Sequence, residues 1–306
     1  MKRESLLLTG ISCVIFVCCQ SEITEPVAGN EENHPVCFNL QLQKEVLPFP
    51  EARSIPPLNI PEPEAIEADT LLYKYLEYVV YTSEETPRQL KHKYYTWKDE
   101  DFGIIYDTLP GGNFSISFLA HNTAETSFSG NTIRFNEVND TFFRNISLLV
   151  EEQTDITQDI ILSRQVGKIE FKAADPIPEE VHSLTISASN YLYQFNLLTG
   201  KAIPDPKIYE QIYHFTNKNN ISGDGIYGFY TFIPDNPLTM EVDVVAGDLT
   251  GNTLKRHLLT NVIPQLNKII RYTGNLFTSS SDSENTFVIE IKEEGEWEEE
   301  DKILEE

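Results

Sequence analysis

A period of two runs through this chain and sets what it can fold into. Val36, Phe38, Leu40 and Leu42 alternate with Cys37, Asn39 and Gln41. Phe114, Ile116 and Phe118 are separated by serines, and Leu184, Ile186 and Ala188 repeat the pattern. Successive side chains of a strand point to opposite faces, so this spacing buries one face of a sheet. No long run carries the 3.6-residue period of a helix, and the alternating runs are punctuated by proline, glycine and asparagine. Further strands are expected over residues 71–82, 91–97, 103–106, 146–151, 160–162, 166–172, 227–233, 239–246, 254–262, 275–277 and 287–291. Turns are expected at 107–112, 175–178 and 247–252, a polar excursion at 200–224, and one helical turn at 137–145. The reading is all-β: two tandem Greek-key β-sandwich domains with few short helices, covering residues 35–163 and 164–292.

The ends of the chain differ from this body. Lys2 and Arg3 precede an apolar run from Leu6 to Val17, which is followed by Cys18 and Cys19. That run is shorter than the roughly 18 to 20 residues a membrane-spanning helix needs, so residues 1–18 read as a cleaved export signal. A cysteine at the cut resembles the bacterial lipoprotein pattern, with Cys19 as the acylated first residue. Residues 19–34 are then a lipidated flexible tether, and residues 293–306 an acidic, solvated tail. With Cys19 acylated, Cys37 has no partner in the mature chain, so no disulfide is expected; between Val36 and Phe38 it reads as a small buried residue. Prolines 48, 50, 56, 57, 61 and 63 make residues 48–63 a surface connection. The net charge of −25 repels nucleic acid, so no nucleic-acid partner is expected.

Reactive chemistry is not legible. Histidines 34, 92, 121, 182, 214 and 257 lie on separate segments with no metal-ligand spacing. Residues 220–225 imitate the start of a calcium loop, but its twelfth position is Thr231 rather than a glutamate, so a glycine turn is the reading. Neither a nucleophile elbow nor a phosphate loop is present. No catalytic residue, metal or cofactor is expected. Tyr73, Tyr75, Tyr78, Tyr81, Tyr94, Tyr95 and Trp97 crowd two neighbouring strands. On one outer face they would stack on sugars; as core and cross-strand pairs, the favoured reading, they are structural.

Several segments carry a family likeness. Leu109-Pro110-Gly111-Gly112-Asn113-Phe114 is followed by Phe118-Leu119-Ala120-His121-Asn122, and then by Ile161-Leu162-Ser163-Arg164-Gln165-Val166-Gly167-Lys168-Ile169-Glu170. Asp175-Pro176-Ile177-Pro178 and a closing segment from Asn267 through Gly274-Asn275-Leu276-Phe277 to Phe287-Val288-Ile289-Glu290-Ile291 complete the set. In order and spacing these resemble the fimbrillin-like lipoproteins of Bacteroidales. The resemblance implies two transthyretin-like sandwiches and a non-enzymatic fimbrial subunit or anchor on the outer membrane surface, held by lipid and serving adhesion to host or bacterial ligands. Other fimbrial subunits would be its partners by strand exchange: an arginine-specific protease cuts, with Arg53 the candidate site unless it is an ordinary surface arginine, the strand of Val36, Phe38, Leu40 and Leu42 leaves, and a donor from another subunit takes its place. Phe287, Ile289 and Ile291 are the candidate donor. Anchor subunits keep the first strand. The alternative function is a surface glycan-binding lipoprotein of the outer membrane. Asp69-Thr70-Leu71 and Asp107-Thr108-Leu109 also resemble the short O-glycosylation sequon of exported Bacteroidales proteins.

Overall fold

The computed structural model describes residues 33–43, 72–151, 155–215, 225–278 and 287–292. The first sandwich is a seven-stranded sheet, in the order β3-β2-β5-β8-β9-β1-β4, that folds back on itself. Its strands are β1 (Asn33–Leu42), β2 (Tyr75–Thr82), β3 (Gln89–Thr96), β4 (Ile104–Pro110), β5 (Gly112–His121), β8 (Thr141–Val150) and β9 (Ile156–Arg164). The fold-back lies between β8 and β9, which pair only at Phe142–Arg164 and Phe143–Ser163. The alternating side chains of β1 and β5 meet inside, with Phe38, Ile116 and Phe118 all 0% exposed.

The second sandwich packs two four-stranded sheets, β15-β10-β18-β19 and β14-β11-β16-β17. Their strands are β10 (Val166–Ala173), β11 (Ser183–Tyr191), β14 (Lys207–His214), β15 (Ile226–Phe232), β16 (Met240–Gly247), β17 (Thr253–Val262), β18 (Ile269–Gly274) and β19 (Val288–Lys292). The two halves repeat one pairing diagram. β1 lies antiparallel to β4 and parallel to β9, just as β10 lies antiparallel to β15 and parallel to β18. The opposite sheets, β3-β2-β5-β8 and β14-β11-β16-β17, correspond strand for strand.

A fourth, small sheet joins the halves. β6 (Thr126–Ser129) and β7 (Thr132–Phe135) form a hairpin of the first half, β12 (Gln194–Asn196) and β13 (Lys201–Ala202) one of the second, and β7 pairs with β12. Beneath it, Phe143 meets Phe195 edge-on at 5.0 Å and Phe135 meets Phe232 at 5.3 Å. The Ser117 hydroxyl donates to the Leu197 carbonyl, and the Val138 N–H to the Tyr191 hydroxyl at 2.7 Å. Burial on both faces explains why β2 reads as an almost unbroken apolar run: one face meets its own core, the other meets the second half.

The all-β class holds, and the short helices do not appear: no helix lies among the described residues. The helical turn expected at 137–145 is replaced by the start of β8, which pairs with β5 from Thr141 to Val150. The turn expected at 107–112 shrinks to a reversal at Gly111, because β4 runs on to Pro110 along β1; Gly112 follows at φ 144°. The strand expected at 275–277 is a bend. There the Asp175 carboxylate accepts from the N–H groups of Leu276, Phe277 and Thr278 at 2.8, 3.0 and 2.6 Å. Conversely, β14 lies inside the expected excursion at 200–224. Its alternation is masked because Ile208 and Ile212 are exposed on one face while Tyr209 is buried on the other.

One buried charge on β10 gives an acid-dependence prediction. Glu170, 3% exposed, is held by Lys168 Nζ at 2.6 Å and Arg271 Nη2 at 2.8 Å. Burial raises its pKa, but the Lys168 and Arg271 cations outweigh burial and leave it below the usual glutamate value. A depressed folded-state pKa stabilises above the unfolded value, near 4.3, and that gain is lost as pH falls through the folded value. Glu170→Gln is therefore expected to lower the urea midpoint at pH 7. The gap to wild type should close as pH is taken from about 5 toward 3; a gap independent of pH would show the charge to be irrelevant.

Candidate functional site

The candidate site is the slot that β1 fills. β1 is central in a three-stranded layer, bonded to β4 from Asn33–Pro110 to Asn39–Ile104 and to β9 from Val36–Ile156 to Leu42–Leu162. Both backbone edges of this strand are used. Val36, Phe38, Leu40 and Leu42 all point inward, with exposures of 2, 0, 2 and 1%. Phe38 lies edge-on to Phe118 at 5.1 Å and tilted to Tyr78 at 6.1 Å. Each such burial is worth about 1.5 to 3 kcal/mol, so the strand is held by pockets as well as by its ladder. Where β1 begins, an open cleft of ≈ 570 Å³ is lined by Pro35, Val36, Cys37, Tyr106, Asp155 and their neighbours. Cys37 faces outward there and is half-buried, and burial raises its thiol pKa.

The other residues singled out in the sequence fall as follows. Cys19, Arg53 and the Asp69-Thr70-Leu71 triplet lie outside the described residues, as do residues 216–224, which hold most of the calcium-loop imitation. Thr108 of the second triplet is exposed on β4. β19 is the edge strand beside β18. Phe287, just before it, is half-buried against Phe171, His257 and Tyr272, whereas Ile289 is 60% exposed, and the Ile291 backbone pairs with Ile270. β1 and β19 thus belong to different sandwiches.

The aromatic row breaks up as β2 and β3 alternate. Tyr73, Tyr78 and Tyr81 are buried, and Tyr95 and Trp97 pack on the first core. Tyr75 and Tyr94 stack at 5.8 Å on the outer face of β2 and β3, the face on which Tyr81 is buried against the second half. A constellation missed by sequence sits beside them: Glu77, 3% exposed, with His92 Nε2 at 2.5 Å and His121 Nε2 at 3.8 Å. Burial raises the Glu77 pKa, and the contacts with His121 and His92 outweigh it, leaving it low. Its signal was a lone acid within an apolar strand. Among the described residues no three His, Cys, Asp or Glu side chains are grouped to hold a metal ion, and no helix is long and apolar enough to cross a membrane.

Comparison with known proteins agrees with the architecture. A protein of Bacteroides thetaiotaomicron VPI-5482, provisionally described as polysaccharide binding (DUF1812), superposes with a TM-score of 0.50 at 10% identity, over 85% of this chain and 98% of that one. Such a likeness establishes a shared fold. The fimbrial anchor protein Mfa2 of Porphyromonas gingivalis gives a TM-score of 0.45 at 11% identity, over 85% of this chain and 97% of that one. A Bacteroides ovatus ATCC 8483 protein provisionally described as an adhesin gives 0.49 at 12%, over 83 and 88%. No curated protein matches by sequence. One family model, described as a family of unknown function (DUF6562), matches residues 116–305.

Proposed function

The chain belongs to the DUF6562 family, a family of unknown function, and from that premise we propose that it is a non-enzymatic cell-surface subunit or anchor of a fimbria, assembling by β-strand addition and serving adhesion. The observation that carries this reading is the place of β1, a strand that is central in its layer and bonded on both sides. Its loss would open a slot with two unpaired backbone edges and four apolar pockets, the arrangement that strand addition between chains uses. The connection from β1 to β2 spans residues 43–74 and contains Arg53. A cut there severs the covalent link from β1 to β2 and leaves β1 in a slot held by its ladder and side chains. Lipid on Cys19 would hold an uncut chain at the outer membrane as an anchor, and a chain starting at Ser54 would polymerise. The glycan-binding alternative loses its platform, because most rings of the tyrosine row serve the core.

Trimming purified protein after Arg53 is expected to yield oligomers whose length grows with concentration, seen by size exclusion and electron microscopy, while Arg53→Ala protein stays monomeric under the same protease. Trimmed protein that stays monomeric at every concentration would refute assembly through the β1 slot. N-terminal sequencing and intact mass of protein from its own cells separate the two roles, acylated Cys19 marking an anchor and Ser54 a stalk subunit.

A further inference from the structure

β4 depends on β1 for its backbone pairing. It ends the sheet order, and among the described residues its ladder is made with β1 alone. If β1 leaves, no other backbone pairing among the described residues holds β4 in place. Side chains of β3, across the open side of the sandwich, do hold it. Asp107, with its side chain 5% exposed, accepts from Lys91 Nζ at 3.0 Å and Lys93 Nζ at 2.9 Å on one oxygen, and from the Tyr78 hydroxyl at 3.1 Å on the other. The same two ammonium groups reach β4's outward carbonyls: Lys91 donates to Thr108 O at 2.5 Å, and Lys93 to Tyr106 O at 3.4 Å. Burial raises the Asp107 pKa, yet the Lys93 and Lys91 contacts outweigh it and keep the carboxyl below its usual value.

The second sandwich supplies the control. β15 occupies the place of β4 and likewise ends its sheet. Among the described residues its hydrogen bonds to the facing β14 are a Tyr213 hydroxyl donating to Gly228 O at 3.1 Å and accepting from Gly228 N at 3.3 Å. Its central strand, β10, follows β9 after the single residue Gln165. The ionic clamp is thus found in the half whose central strand is joined to the next strand through the long 43–74 connection.

We propose that Lys91, Lys93, Asp107 and Tyr78 form a staple that keeps β4 at strand-accepting distance from β9 while the β1 slot is empty, and that closes β4's outer edge to any other chain. The proposal rests on the strand-addition reading and names the residues that make its acceptor. Lysines set along a sheet edge are a general device against edge pairing, so a partner strand approaching β4 is left its inner side, the slot. The staple is a positioning device: in the intact chain β1 already holds β4, and the four residues matter when it does not.

The test uses the full chain with a protease site inserted between β1 and β2, cut with the β1 fragment retained, and offered excess fluorescent peptide of sequence Asn33–Leu42. Lys91→Ala/Lys93→Ala and Asp107→Asn are compared with wild type, with amide exchange of residues 104–110 followed in cut and uncut protein. Uncut variants are expected to protect β4 as wild type does, while the cut variants take up peptide at least roughly tenfold more weakly. Equal uptake by cut variants and cut wild type would overturn the staple. If cut wild type takes up no peptide, the strand-addition reading falls and amide exchange decides the staple alone. Slower β4 exchange in cut wild type than in cut variants upholds it, and equal exchange overturns it.

Discussion

Replacing Arg164 by alanine is expected to destabilise the protein by about 3 to 5 kcal/mol, because it strands a buried carboxylate where the two halves meet. The guanidinium grips Asp140 in a fork, Nε to Oδ1 at 2.6 Å and Nη2 to Oδ2 at 2.8 Å, while Nη1 donates to the Asn267 side chain at 2.9 Å. It lies 4.9 Å over the Phe142 ring, and the side chains of Arg164 and Asp140 are 5 and 11% exposed. One residue at the end of β9 thus ties the segment before β8 to the loop before β18. Urea denaturation measures the loss. In the double variant with Asp140→Ala, the second change is expected to add much less than it costs alone, since the orphaned charge is removed with its partner. Additive losses, or a single-variant cost below about 1 kcal/mol, would show that the fork is not what holds the seam.

Phe38→Ala is expected to cost about 3 to 5 kcal/mol, the range for emptying a fully buried aromatic site. Phe38 is 0% exposed between the two layers, and Phe118 and Tyr78, against which it packs, are equally buried. Cys37→Ser, one position away on the outer face, is expected to stay within about 1 kcal/mol, so the two variants report the pleat of β1 as well as its energy. The larger loss has a functional counterpart under the proposed assembly. Once the chain is cut at Arg53, the Phe38→Ala fragment should leave its slot faster than the wild-type fragment, read by loss of a fluorophore placed on the fragment. Equal release rates would mean that the pocket around Phe38 does not control the strand's residence.

How much of this was legible in the sequence depended on segment length and on which faces were buried. β1, β5 and β11 were readable because each offers three or more inward apolar residues at a period of two, enough to outweigh chance. β14 was not, since apolar residues occupy both its exposed and its buried faces. The strands of the joining sheet, four residues at most, are too short to show any period. The candidate slot was legible as a strand, and Val36, Phe38, Leu40 and Leu42 were identifiable as its inward face. Its depth in the layer was not, because the parallel pairing with β9 joins residues more than a hundred positions apart. The staple was also invisible: Lys91, Lys93 and Asp107 are common charged residues, and nothing local says that one strand's lysines reach another's carbonyls.

The sequence by itself determined that this chain forms strands rather than helices, and which side of each long strand turns inward, because both follow from local spacing and from the punctuation of proline and glycine. Tertiary structure alone decided that the two halves repeat one pairing diagram, that a small antiparallel sheet with strands from both halves and Arg164 join them, and that β1 lies between two neighbours instead of at an edge. Those are matters of which distant segments meet. Backbone hydrogen bonds look alike in every strand, so the choice of partner rests on shape and charge that appear only once the chain has closed on itself.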